Sequence, residues 1–425
     1  MLGGPLRRLR RRLPPTHWMV LLSVIGPGII TANADNDASG IYGYSLAGAQ
    51  YGYSMLWVLV LVTISLAVCQ EICARMGAVT GKGLADLIRE EYGVKVALFA
   101  MIVLLIANYA TTVSEFAGIT AAVECFASPR ARWVVVPAVA VGVWLLVTRG
   151  TYRRVERVLL VASLIYLAYI ASAFLAHPPW GRVLSNTVWP GAIHPDKAYI
   201  FMLINVIGTT ITPWGQFYIQ SAVRDKGIRA EEYGYERADV LFGAFFTNFI
   251  AFFIIVCCAK LLIPGQVPKF DDAGQVARAL QPVAGSWAKL LFAIGLFNAS
   301  CFGAITVPLS TAYAMTESLG SESGVGRRSR EAPLFVGVFT LLIFVSALTV
   351  LFGSRSLEYL IILPNIVGGV LLPVILVLML RLVNNRRIMG SYVNSRTFNV
   401  IAWITIVVLT ILSVVLLVQN LFFPS

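Results

Sequence analysis

Residues 25–40 read Ile25-Gly26-Pro27-Gly28-Ile29-Ile30-Thr31-Ala32-Asn33-Ala34-Asp35-Asn36-Asp37-Ala38-Ser39-Gly40, an acidic turn set inside an otherwise apolar stretch. Helix crossing a hydrocarbon core of roughly 30 Å needs about 20 apolar residues, and the run 18–49 has that length. A charge at mid-bilayer costs at least ~2.5–3.5 kcal/mol, so Asp35 and Asp37 within such a run mark a functional site by default. The sixth apolar run carries a second interruption, Gly208-Thr209-Thr210-Ile211-Thr212-Pro213-Trp214-Gly215. Its proline lacks an amide donor and clashes with the preceding turn, which frees backbone carbonyls.

The rest of the chain agrees with a membrane setting. Of its 425 residues 58% are hydrophobic and 13% charged, against roughly 45–50% and about 25% in soluble domains. This excludes a disordered chain, a secreted disulfide scaffold and an ordinary soluble enzyme. Apolar runs recur near 18–49, 53–75, 97–126, 132–148, 158–176, 199–222, 239–263, 286–315, 333–353, 358–380 and 398–422. The expected fold is therefore an all-α membrane protein with eleven transmembrane helices. Arg7-Arg8-Leu9-Arg10-Arg11-Arg12 imitates the start of a signal peptide, but Asn33–Asp37 stands where small residues would mark cleavage, so a retained first span is expected. With the N-terminus cytoplasmic, 24 of the 33 Lys and Arg fall on the inner side, the bias that cytoplasmic loops carry. The C-terminus is then extracellular and the cell membrane is the expected location. The net charge of +12 is accounted for by these loops, so no nucleic-acid partner is expected. The six cysteines form no CxxC pair, and His17, His177 and His194 lie in tails or loops.

Spans 1 and 6 occupy corresponding places if spans 1–5 and 6–10 are two halves, and an odd five-span repeat must enter the membrane from opposite sides. Paired broken helices in inverted repeats point to a binding site at the midplane. Unwound backbone offers carbonyl oxygens, and Asp35 and Asp37 add negative charge. The implied ligand is a cation. The expected organisation is a basic tail at 1–17, a first repeat at 18–176, an extracellular loop at 177–198, a second repeat at 199–382, and a cytoplasmic loop with helix 11 at 383–425.

Gly26-Pro27, then Asp37, then Ala47-Gly48-Ala49 resembles the first helix of Nramp divalent-metal transporters, which reads Gly-Pro, Asp-Pro-Gly-Asn and Ala-Gly-Ala at the same spacing. Gln70-Glu71-Ile72-Cys73-Ala74-Arg75-Met76-Gly77-Ala78-Val79-Thr80-Gly81-Lys82 looks like the end of the family's second helix. Glu115 with Gly118 resembles its third helix, Tyr218–Ala222 the segment after its sixth-helix break, and Phe292–Leu296 its eighth. The resemblance implies a LeuT-like fold of two inverted five-helix repeats plus one extra helix, with helices 1 and 6 broken at the midplane. It carries the metal-binding aspartate to Asp37, for which capping of the outer half-helix is the competing structural reading. It also makes the Thr209 carbonyl a ligand, with the Thr209 side chain in packing. Where the family has Asp-Pro-Gly-Asn and Met-Pro-His, this chain has Asp37-Ala38-Ser39-Gly40 and Thr212-Pro213-Trp214. An asparagine carbonyl, a thioether and an imidazole are thereby lost, a pattern similar to the Nramp-related magnesium transporters.

Asp37, Thr209, Thr212 and Gly40 are therefore the expected metal site, with Asp35, Asn36, Glu115, Gln216 and Asn365 lining it or accessory to it. Hard oxygen donors suit magnesium and manganese, and magnesium keeps several waters. The expectation is a transporter importing a partly hydrated magnesium ion, manganese second, by alternating access without proton coupling, since no histidine lies in a span. A proton-coupled manganese or iron symporter is the alternative. An intramembrane enzyme is disfavoured because both aspartates lie on one segment, and a cation sensor that transports nothing is a further alternative. No cofactor and no obligate protein partner is expected beyond the metal ion and the bilayer.

Overall fold

A computed structural model describes residues 26–190, 197–262, 270, 273–327, 330–353 and 358–422, and the side chains of all of these except 197, 358–367, 369–370, 412–413 and 416–422. The basic tail and the first residues of span 1 lie outside the described residues, as do His194 and the Asn365 side chain. Among the described residues there is helix and no strand.

The first apolar run is two short helices, α1 (Pro27–Ala34) and α2 (Ala38–Tyr51), separated at Asp35-Asn36-Asp37. Then come α3 (Leu56–Thr80), α4 (Leu84–Tyr92), α5 (Val94–Val123), α6 (Arg132–Arg149), α7 (Tyr152–Ser163), α8 (Leu167–Leu175) and α9 (Trp180–Val188). The sixth run is again split, into α10 (Lys197–Thr210) and α11 (Pro213–Lys226). The chain continues through α12 (Tyr233–Cys258), α13 (Ala273–Ser318), α14 (Pro333–Phe352), α15 (Glu358–Val383) and α16 (Arg396–Phe422). Among the described residues, eight helical stretches are long and apolar enough to cross a membrane.

Both interruptions fall where the sequence places them, and three features go beyond it. The short helix α4 is amphipathic, with Leu84, Ala85, Leu87 and Ile88 buried and Glu90 and Glu91 exposed. The loop expected at 177–198 contains α9. Helix also begins well before the expected start of span 8, and α13 turns sharply at Gly285, whose φ of 88° lies in the left-handed region that glycine tolerates.

The glycines ahead of the first break let α1 lie against α12. A Cβ at Gly28 would stand 2.6 Å from the Val240 backbone, and one at Gly243 would stand 2.7 Å from the Gly28 carbonyl. At that approach Asp239 Oδ2 accepts the Gly26 and Gly28 amides at 3.0 and 2.7 Å. Helix N-termini leave amides unpaired, and a carboxylate there also meets the favourable end of the helix dipole. Gly26-Pro27-Gly28 thus fixes α1 by backbone contact with a neighbouring helix. Gly28→Val should lower stability by about 1–3 kcal/mol, the usual cost of overpacking. The melting temperature of the detergent-solubilised protein, followed by tryptophan fluorescence, measures this; an unchanged value would mean that α1 can step away from α12 at no cost.

Candidate functional site

The two breaks face each other. Asp37 is the N-cap of α2, where its Oδ1 accepts the Gly40 amide at 2.6 Å and the Ser39 hydroxyl at 2.8 Å. Asp35 points the other way. Its Oδ2 accepts from Gln70 Nε2 on α3 at 3.0 Å, and its Oδ1 accepts from Thr212 Oγ1, just ahead of α11, at 3.1 Å. Asp35, expected to line the site or to be accessory to it, is therefore the link between both breaks and a third helix. Thr212 does not bond back to its own helix turn, the common fate of a buried threonine; it reaches across to the other break.

Oxygen atoms converge beside Gly40. The position a Cβ would take there is 3.0 Å from the Asp35 carbonyl oxygen, 3.2 Å from Thr209 Oγ1 and 3.3 Å from Asp37 Oδ1. The Thr209 hydroxyl thus lies beside Gly40 at the first break. On the other side, the corresponding point at Gly215 is 3.0 Å from Thr212 Oγ1 and 3.4 Å from Asp35 Oδ1. The donors at hand are carboxylate, hydroxyl and carbonyl oxygens, the set that suits hard cations. Among the described residues, no group of three His, Cys, Asp or Glu side chains could hold a metal ion. At Gly40 one carboxylate, that of Asp37, stands with two neutral oxygens, while the Asp35 carboxylate stands at Gly215 with the Thr212 hydroxyl.

The remaining candidates divide. Glu115 sits against the first turn of α2, with Oε2 accepting the Ala38 amide at 3.2 Å and Oε1 buried without a partner. Gly303 makes room for it, since a Cβ there would stand 2.5 Å from the Glu115 carboxyl carbon. Asn36 turns away from the oxygen cluster and donates to the carbonyl and hydroxyl of Thr247 on α12. Gln216 is fully buried, and neither end of its amide has a partner. The backbone of Asn365 lies in α15, three residues before Gly368, whose Cβ position is 3.7 Å from Pro213. Reading the sequence misses Gln70, Asp239 and Tyr166, whose hydroxyl donates to the Asn36 carbonyl at 3.3 Å. Their roles are contacts across 35 to 213 positions of chain, which no local pattern marks.

The two ends of the bundle differ. At the end holding Arg224, its guanidinium pairs with Glu317 at 2.9 Å and Asp86 at 3.3 Å and donates to Ser323 at 2.7 Å, while Lys226 pairs with Glu156 at 2.6 Å. These pairs tie α4, α7, α11 and α13 together beneath the breaks. On the opposite side of Asp37, a cavity lined by Ala38, Ser39, Tyr42, Ser114, Gly118 and Ala273 reaches the first turn of α2.

Comparison with known proteins adds to this geometry. The family model described as natural resistance-associated macrophage protein-like, Nramp, matches residues 28–419. The chain is similar to the divalent metal cation transporter MntH of Latilactobacillus sakei, with 26% identity over 420 residues, 95% of this chain and 90% of that protein. It is also similar to the metal transporter Nramp3 of Oryza sativa subsp. japonica, 27% identical across 91% of this chain and 72% of that protein. A crystal structure of the Eremococcus coleocola manganese transporter, in complex with an aromatic bis-isothiourea substituted compound, has the same fold. Its TM-score is 0.75 at 18% identity, with 97% of this chain and 91% of that one covered.

The two roles open to Asp37 can be separated. Asparagine caps a helix about as well as aspartate, whereas alanine loses about 1 kcal/mol. Asp37→Asn should melt like the wild type and Asp37→Ala lower, while both lose the calorimetric signal of Mn2+ titration. Wild-type Mn2+ affinity in Asp37→Asn would reduce Asp37 to a cap.

Proposed function

This chain belongs to the natural resistance-associated macrophage protein-like (Nramp) family, and from that premise we propose that it moves a divalent metal ion across the membrane, with Mn2+ as its substrate. It is not an enzyme. The observation that carries the proposal is the set of oxygens from Asp35, Asp37, Thr209 and Thr212 gathered where two interrupted helices meet. Half-helix ends around a midplane site are the recurring device by which such folds hold an ion between alternating states. Eleven spans in two inverted repeats, with the Arg224 end and the N-terminus in the cytoplasm and the C-terminus outside the cell, are part of the same proposal. The Lys and Arg distribution supports that orientation. Ion pairs then close the inner side, and the cavity by Ser39 lies on the outer side.

Magnesium, first from sequence alone, becomes the second reading. It is favoured by one observation: threonine and glycine stand where the wider family places a thioether and an amide. Oxygen donors accept Mn2+ and Mg2+ alike, and the similar proteins are described as manganese or divalent-metal transporters. The test is uptake of Mn2+, Mg2+ and Cd2+ by proteoliposomes of the purified protein. Uptake of Mn2+, with Mg2+ weaker, is expected; no uptake of any of the three would end the transport reading. Thr212→Met adds a soft ligand and removes the hydrogen bond to Asp35. It should raise the preference for Cd2+ over Mn2+ on the order of tenfold, about 1.4 kcal/mol.

Coupling to protons is the reading placed ahead of uncoupled carriage. Glu115 has a buried, unpartnered carboxyl oxygen next to the residue that follows Asp37, so a proton can be held there as the cation leaves. The membrane potential alone contributes about 4.6 kcal/mol per 100 mV for two charges, enough to drive import without protons. A pH-sensitive dye inside the vesicles separates the two readings under a potassium diffusion potential. Acidification should accompany Mn2+ entry and disappear in Glu115→Gln. Mn2+ entry with no pH change would restore the uncoupled mechanism.

A further inference from the structure

Three glutamines lie between the second break and the inner end. Gln70, on α3, donates to Asp35 and leaves its Oε1 buried and unpartnered. Gln216 and Gln220, on α11, lie four residues apart and share one helix face, and Thr212 is the N-cap residue four positions before Gln216. Both ends of that face meet α3. Thr212 reaches Gln70 through their common partner Asp35, and Gln220 packs where a Cβ on Gly77 would come within 3.3 Å of its Cγ. Gln216 stands midway, one turn from each.

None of the three amide groups is fully used. Gln220 donates to the Lys82 carbonyl at 3.1 Å but its Oε1 has no partner, and Gln216 has a partner at neither Oε1 nor Nε2. All three side chains are fully buried. Buried polar atoms without partners are few in folded proteins, and each calls for an explanation. Here four of them belong to three side chains of α3 and α11 that lie between Asp35 and Lys82. The seam ends at Lys82, beside Gly83, where a Cβ would stand 2.0 Å from the carboxyl carbon of Glu317. Glu317 and Asp86 are the acids that Arg224 holds.

We propose that Gln70, Gln216 and Gln220 form a file of amide oxygens along which the metal ion leaves the site toward the cytoplasm. The proposal rests on the reading of the chain as a divalent-metal transporter and deepens it. Amide oxygens are hard, neutral ligands that can replace water around Mn2+ or Mg2+ in turn. Being neutral, they pass the ion on rather than trap it, and the Glu317–Asp86 pair at the far end draws it out by competing with Arg224. An apolar seam would give a divalent ion nothing in exchange for its hydration shell.

The test is Gln216→Leu in the full-length protein, read by Mn2+ titration in detergent, Mn2+ uptake in proteoliposomes, and melting temperature. A residue kept for the path and not for the fold predicts a specific combination. Uptake falls at least tenfold, the Mn2+ dissociation constant stays within about threefold, and melting occurs at or above the wild-type temperature because an unpaired buried amide is gone. Gln216→Met keeps the unbranched shape, loses the hard oxygen, and must give the same result; it decides the matter if the leucine variant does not fold. Uptake within twofold of wild type in either variant overturns the file. A tenfold weaker dissociation constant also overturns it, by making Gln216 part of the binding site itself. Wild-type protein that neither binds nor moves Mn2+ would instead defeat the transporter reading.

Discussion

The carboxylate of Asp35 is the contact on which the centre of the bundle depends. Its two oxygens accept from Gln70 and Thr212, so one side chain joins the first break, α3 and the second break. In a membrane every backbone polar group must be satisfied internally, and non-helical backbone survives only where protein or a polar cavity surrounds it. Two separate breaks would each have to solve that problem. Facing one another across Asp35, with Tyr44 bonded to Thr210 at 2.7 Å and Ser310 to the Trp214 carbonyl at 2.7 Å, they solve it together.

The same constraint explains why the half-helices are held so differently. The start of α1 is fixed by backbone approach, with Gly28 and Gly243 letting two helices touch and Asp239 taking the amides left over. The start of α2 is fixed by its own acid, Asp37, while Glu115 takes the Ala38 amide. Each end carries a carboxylate where the dipole favours one. Asp37 caps α2 through Oδ1, and that same oxygen is the one that stands in the oxygen cluster beside Gly40. The burial of Asp35, Asp37 and Glu115 around one break is a standing cost that a structural helix would not incur.

Charge is distributed by function along the bundle axis. At the Arg224 end the acids are paired with Arg224 and Lys226 in largely buried ion pairs. At the centre Asp35 and Asp37 have amide and hydroxyl partners and, among the described residues, no basic side chain bonded to them, which is the arrangement the proposed cation would need. Between them lies the seam of α3 and α11, polar but uncharged.

The membrane character and the places of both interruptions were legible in the chain because hydrophobic length and proline act locally: Asp35-Asn36-Asp37 and Ile211-Thr212 fall outside helix where the sequence puts them. The family was legible because Gly26-Pro27, Asp37 and Ala47-Gly48-Ala49 keep a fixed spacing along one segment. What each polar residue does was not. Asp35 and Asp37 are two residues apart and chemically identical, yet one caps α2 and the other bridges three elements, because a break turns successive side chains in different directions. Asn36, between them, turns to Thr247 for the same reason. Sequence by itself determined where the helices stop and which residues are too polar for lipid; only the tertiary structure decided which of those residues meet, since their partners lie on helices distant in the chain and are chosen by packing.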